Sequence, residues 1–224
     1  MPDMTVILSR TATKAGDMMV RVDTGDVLGS LISKLQGGSD FVHGGLAIGA
    51  DQMVEVNGGL GVSRKYGQRI TANIYRTRLH KENKRVKYVV YRPVNEDLGL
   101  NVAKEAVDFA TEGEQAAWGA LGYNLKAGIQ SLDVYKGRFG DKSAEKKNRN
   151  VFLNQNESVV SMARREGKSF FCTQWMVWMY LMVSKQTKTF YNFNMAPKDA
   201  LPGRLVAALD RSSDFTYKGC ILPG

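Results

Sequence analysis

One cysteine, one histidine and one glutamate offer the clearest chemistry in this chain. There are only two cysteines, Cys172 and Cys220, and two histidines, His43 and His80. Cys172 stands at the front edge of Phe170-Phe171-Cys172-Thr173-Gln174-Trp175-Met176-Val177-Trp178-Met179-Tyr180, the most apolar run in the sequence. A thiol in the first turn of a helix is biased toward thiolate, because the unpaired N–H groups and the macrodipole there favour an anion. A thiolate nucleophile needs a base within hydrogen-bond reach, and that base needs a third group to orient its ring. Glu55 follows His43 by 12 positions. A carboxylate there would accept from the imidazole and favour the imidazolium that pairs with a thiolate. Each residue also has a plainer reading. Cys172 is then a small buried residue of a core helix, His43 is structural, and Glu55 faces solvent from a strand. His80, in Arg78-Leu79-His80-Lys81, reads as a surface turn, and Cys220, in Lys218-Gly219-Cys220-Ile221, as a packed strand residue.

The elements that must hold these residues are read from apolar spacing. Cys172 to Val183 has helical length and apolar residues all round, which predicts a buried helix. Val42 to Ile48 predicts a strand headed by His43. Gly49-Ala50-Asp51 is a turn, and Gln52 to Val56 returns with Glu55, so the two residues share a hairpin. Gly16-Asp17 opens a strand over Met18–Val22, and residues 4–9 are expected to form a short first strand. Leu28 to Leu35 has helical spacing and ends at Gly37-Gly38. Further strands are expected after Gly58-Gly59 and Gly61-Val62, over Asn73–Leu79, and over Arg85–Tyr91, where Val86, Tyr88 and Val90 share a face and Pro93 stops the run. A helix is expected over Asn101–Ala117, capped by Asn101. Pro197–Leu209 reads as a helix broken at Pro202-Gly203, and Asp214–Leu222 as a closing strand.

The bulk composition limits the possibilities. The chain has 224 residues, 43% hydrophobic and 24% charged, which is ordinary for a globular protein with a real core. No internal repeat or linker divides it, so a single domain over 1–224 is expected. Two cysteines do not make a disulfide framework, and the Cys/His spacing matches no structural zinc site. No metal and no cofactor are expected. The net charge of +9 and pI near 9.5 point to an anionic partner: nucleic acid, anionic lipid or the acidic bacterial cell wall. Residues 136–149 (KGRFGDKSAEKKNR) are the most basic stretch and read as a solvated surface insertion, or as a basic lid or docking loop near a site. No aromatic–basic interleaving marks a nucleic-acid surface. Met1-Pro2-Asp3-Met4-Thr5 has no basic region followed by a long apolar stretch, so no secretory signal is expected, and no run reaches the roughly 20 apolar residues of a membrane span.

The ordered set of motifs resembles the circularly permuted NlpC-like, papain-fold hydrolases (the YiiX-like group). The resemblance runs over roughly residues 15–220 and rests on Gly16-Asp17-Met-Met-Val-Arg-Val, Ser39-Asp40-Phe41-Val42-His43-Gly44-Gly45-Leu46-Ala47-Ile48-Gly49, Val89-Val90-Tyr91-Arg92-Pro93, Gly122-Tyr123 and Phe170-Phe171-Cys172-Thr173-Gln174. It implies an α+β, papain-like fold with a central antiparallel sheet packed on the nucleophile helix. It also implies Cys172 as nucleophile, His43 as base and Glu55 as third member. Gly44 stands where such proteins more often have an apolar residue, Thr173 replaces a commoner serine, and residues 136–149 have no counterpart. The natural first oxyanion donor is the backbone N–H of Cys172, and Tyr123 is a candidate to line the cleft.

The resemblance implies a cysteine peptidase or amidase, cleaving an amide bond in the stem peptides of peptidoglycan. Without an export signal, it further implies an antibacterial effector delivered to the periplasm of target cells, for example by a type VI secretion system, with an immunity protein as a partner. Two other functions stay open: a lipid-directed acyl hydrolase or acyltransferase, and a non-catalytic binding module of the same fold.

Overall fold

Alternation of apolar side chains builds the sheet that carries His43 and Glu55. In the computed structural model, residues 1–23, 25, 30, 32–34, 36–58, 70–72, 87–115, 172–188, 195 and 197–222 are described. Six strands are present among them: β1 (Met18–Val22), β2 (Phe41–Gly49), β3 (Gln52–Gly58), β4 (Ile70–Ala72), β5 (Lys87–Pro93) and β6 (Phe215–Ile221). They form one sheet in the order β4-β3-β2-β1-β5-β6, with every neighbouring pair antiparallel. Successive residues of β1 point to opposite faces, as a period of two requires. Met18 and Val20 join the large core on one face, and Met19 joins a smaller cluster on the other with Ala47, Met53, Tyr88, Val90 and Ile221. Tyr88 and Val90 thus share a face as their spacing predicts.

Three helices are described: α1 (Glu96–Gln115), α2 (Cys172–Gln186) and α3 (Pro202–Leu209). The fold is therefore α+β, an antiparallel sheet with a few helices. Helix α2 is apolar around most of its circumference because most of it is enclosed, with Gln174 and Leu181 partly buried and Gln186 exposed at its end. Trp175, Met176, Val177, Met179 and Tyr180 are each fully buried in the large core. Full burial of such side chains stabilises by about 1.5–3 kcal/mol each, so this helix is anchored over most of its length.

The start of β1 is locked to β5 and α2 by a polar bracket, and α1 packs closely on it. Asp17 is fully buried and takes two bonds from Arg92, Nε at 2.8 Å and Nη2 at 2.7 Å. The same guanidinium reaches the carbonyl of Ala12, and the Tyr180 hydroxyl donates to the carbonyl of Gly16. Gly16 has φ +85°, and a Cβ there would lie 2.3 Å from the Cα of Gly99 in α1. Both the left-handed backbone and the close approach demand glycine.

Several expectations are corrected. Residues 4–9 do not form a strand: the segment turns at Met4 and Thr5 and meets β6 only through a single parallel bridge, Ile7 to Cys220. Helix α1 begins at Glu96, so Asn101 lies inside it. The cap is Asn95, whose Oδ1 accepts the Leu98 N–H at 3.0 Å. Pro202-Gly203 does not break a helix but opens α3, with Pro202 in the first turn where its missing N–H costs nothing. A short 3-10 turn at Pro197–Asp199 precedes it. Ser30 and Ile32–Lys34 are helical and the chain turns at Gln36–Gly38, in keeping with the predicted helix end. The strand expected over 73–79, those expected after Gly58-Gly59 and Gly61-Val62, and the basic stretch 136–149 lie outside the described residues.

Candidate active site

The hairpin of β2 and β3 brings His43 and Glu55 to the same side of the sheet. The strands are in register with Gly45 opposite Glu55, Leu46 opposite Val54 and Ala47 opposite Met53. Glu55 is therefore the diagonal neighbour of His43, within reach of a long side chain. Its Oε2 lies 2.9 Å from His43 Nε2. The chain reverses at Ala50-Asp51, where Asp51 adopts φ +56°, a conformation aspartate tolerates. Glu55 is 4% exposed and the His43 side chain 14%, so the pair is shielded from water.

Cys172 is the first residue of α2 and is buried. The His43 ring and the Cys172 thiol are close enough that each favours the charged form of the other. Because Nε2 is engaged with Glu55, the ring nitrogen left for Cys172 is Nδ1. The structure thus brings the three sequence-predicted residues into one chain of contacts, Cys172 to His43 to Glu55. Tyr123 lies outside the described residues.

Two backbone N–H groups act on the sulfur, and the sequence alone did not point to them. The backbone N–H groups of Gly44 and Thr173 favour the charged form of the Cys172 sulfur. The β2–β3 ladder ends at Gly45–Glu55; beyond it, β3 turns to β4, with Val56 opposite Ala72. N–H groups alternate in direction along a strand. Ala47 points its N–H toward β1, to the Asp17 carbonyl, so Gly44 points its own toward the vacated β3 side. There the β2–β3 ladder has ended. Gly44 also explains why an apolar residue is absent. A Cβ on it would lie 2.6 Å from Met176 Sδ and 2.9 Å from Thr173 Cγ2. The first turn of α2 rests directly on this strand. Thr173, fully buried, ties the same turn to the chain before α3 by donating its hydroxyl to the Ala200 carbonyl.

The electrostatics follow from this packing. Burial opposes a charge on His43, but the Cys172 sulfur and the Glu55 carboxylate outweigh it and hold the imidazole's pKa up to about 10. Burial likewise opposes a thiolate at Cys172. The His43 charge and the Gly44 and Thr173 N–H groups outweigh that and lower the thiol below its ordinary value. The pair is thus poised as thiolate and imidazolium. As the first helical residue, Cys172 also has a backbone N–H with no partner inside α2. Chemically, the arrangement offers an activated sulfur, a proton on the adjacent ring, and a donor at the helix start for a developing oxyanion.

By contrast, Cys220 sits buried in β6, and burial pushes its thiol up. His80 lies outside the described residues. Among the described residues, no group of three or more His, Cys, Asp or Glu side chains is placed to hold a metal ion. None of the described helices is long and apolar enough to cross a membrane. No family model matches the sequence, and no curated protein matches it either.

Proposed function

We propose that this protein is a cysteine hydrolase of papain-like, circularly permuted NlpC-type fold that cleaves an amide bond in peptidoglycan stem peptides. The observation that carries the reading is the contact chain Cys172–His43–Glu55, with the thiol lowered and the imidazole raised. In the first step the Cys172 thiolate attacks the amide carbonyl, forming a C–S bond. The oxyanion is received by the Cys172 N–H. His43 gives its proton to the leaving amine as the C–N bond breaks, leaving a thioester. Water then attacks the thioester; neutral His43 takes its proton, and the carboxylate product leaves with the thiolate restored. Glu55 orients the ring and sustains its charge throughout.

The substrate class rests on the resemblance to NlpC-like hydrolases and on charge, since the net +9 suits an acidic wall. The same reading takes the protein as an antibacterial effector acting in the periplasm of target cells. The methionines and tryptophans of α2 give no support to a lipid substrate, because they are spent on the core. The test is to incubate wild type and Cys172→Ala with purified sacculi and, separately, with phospholipid vesicles. Cleaved stem peptides, seen after the treated sacculi are digested with a muramidase and lost in the variant, are the expected result. Free fatty acid from vesicles without stem-peptide cleavage would replace this reading with a lipid-directed hydrolase. Equal effects of both proteins on target cells would leave only a binding module.

A further inference from the structure

One side chain joins the strand that carries His43 to helix α3. Gln36 donates from Nε2 to the Phe41 carbonyl in β2 at 3.1 Å, and its Oε1 accepts the Gly203 N–H at 3.1 Å. Gly203 lies in the first turn of α3, where backbone N–H groups have no partner inside the helix. Leu201, at the cap of that turn, offers no side-chain hydrogen bond, so Gln36 supplies the acceptor. Gly203 also permits the approach, since a Cβ on it would lie 2.2 Å from Ser39 Oγ.

From α3 the contacts run on to the nucleophile. Ala200, fully buried, stands two residues before α3. The turn around it is fixed by its N–H to the Pro197 carbonyl at 3.1 Å and by the Leu201 N–H to the Asp199 carbonyl at 2.9 Å. The Ala200 carbonyl accepts the hydroxyl of Thr173. A helical threonine commonly turns its hydroxyl back to the carbonyl three or four residues earlier. Thr173 instead directs it to a residue 27 positions later, which ties the first turn of α2 to α3. Thr173 and Met176 then rest on Gly44, next to His43 in β2. The path closes on the strand where it began: Phe41, Gln36, Gly203, Ala200, Thr173, Gly44. Each member of the catalytic pair is bonded to a member of this ring, Cys172 to Thr173 and His43 to Gly44.

We propose that Thr173 and Gln36 are positioning residues that hold the nucleophile turn on the strand of the base, so that Cys172 and His43 keep the separation that proton transfer between them needs. The inference rests on the hydrolase reading and deepens it. The two side chains act through the pair and take no part in bond cleavage.

The experiment titrates the Cys172 thiolate by ultraviolet absorbance, each protein taken minus its own Cys172→Ala counterpart, with urea unfolding as a separate measure of stability. Thr173→Val keeps the shape and removes the hydroxyl. It raises the thiolate midpoint by at least about half a pH unit, a fraction of what one hydrogen bond to a charged group contributes. Thr173→Ser keeps the hydroxyl and leaves Met176 on Gly44, so it loses stability with its methyl but holds the wild-type midpoint. Gln36→Met, on a partly exposed side chain, moves the midpoint in the same direction as Thr173→Val. The double variant goes no further than Thr173→Val alone, because either break opens the same ring. On a synthetic stem peptide the acid limb of kcat/KM rises with the midpoint. Should Thr173→Val fail to fold, Thr173→Ala removes the same hydroxyl, leaves room for water at the Ala200 carbonyl and gives the same rise. A midpoint unmoved by loss of the hydroxyl, a rise in Thr173→Ser equal to that in Thr173→Val, an unmoved midpoint in Gln36→Met, or additive shifts in the double variant overturns the proposal. Failure of the wild type to cleave any peptide would instead remove the hydrolase reading, and the titration, which needs no substrate, would still decide the ring.

Discussion

The thiol of Cys172 is tuned from three directions: the His43 ring, the strand N–H of Gly44 and the helix N–H of Thr173. The sign of the pH dependence follows. A lowered thiol stays charged as pH falls until its own folded-state value is reached. A raised imidazole stays charged as pH rises to about 10. The ion pair is populated between those limits, and the two midpoints belong to the coupled pair. Ultraviolet thiolate absorbance, taken as wild type minus Cys172→Ala so that Cys220 cancels, should therefore show a midpoint below the free-thiol range of about 8.5. His43→Ala should move that midpoint upward. Glu55→Gln removes an opposite charge and should draw the alkaline limb of activity down from about 10 by about one to three units. Cys172 and His43 were legible in the sequence because cysteine and histidine are scarce, and Glu55 because it lies on the returning strand of the same hairpin. The N–H of Gly44 was not: nothing in a glycine's identity says which way its amide points. The only trace was that glycine stood where an apolar residue was expected, and the close contact with Met176 and Thr173 supplies the reason.

At the level of elements, the site depends on how tightly α2 rests on β2. Gly44→Ala would force its methyl into Met176 and Thr173, and overpacking of this kind costs about 1–3 kcal/mol. Urea unfolding should show that loss. The thiolate midpoint should also rise, because the sulfur would be pushed off the Gly44 N–H. The Asp17–Arg92 pair lies away from the thiol, next to the point where Tyr180, midway along α2, meets Gly16. Asp17→Ala would leave the Arg92 charge without its partner and should destabilise the fold by about 3–5 kcal/mol in the same measurement, with the thiolate midpoint unmoved. Most strands were legible from alternation alone. Where reading failed, a local signal was outweighed. The N-terminal segment has the composition of a strand but finds only one bridge. The start of α1 was placed late because Gly99 interrupts its pattern, although that glycine is there to let α1 approach Gly16. The acidic Glu96 and Asp97 and the cap at Asn95 mark the true start.

Across the whole molecule, an antiparallel sheet and a buried helix bring together residues that are far apart in sequence. His43 and Glu55 come from one hairpin, and Cys172 arrives from a helix well over a hundred residues later. The α+β class follows from such a mixture of periodicities. The meeting of α2 with the opened edge of β2 does not, since it depends on where the β2–β3 ladder ends. The net charge of +9 belongs to this scale too: it favours the approach of an anionic partner, which on the proposed reading is the cell wall. The central claim is that Cys172 carries an acyl intermediate from an amide substrate. It is tested most directly by quenching the reaction with a synthetic stem peptide in acid and mapping the protein by mass spectrometry. An acyl fragment on the peptide containing Cys172, released by hydroxylamine and absent from Cys172→Ala, is the expected result. Cleavage of the stem peptide with Cys172 unmodified and the variant equally active would contradict it.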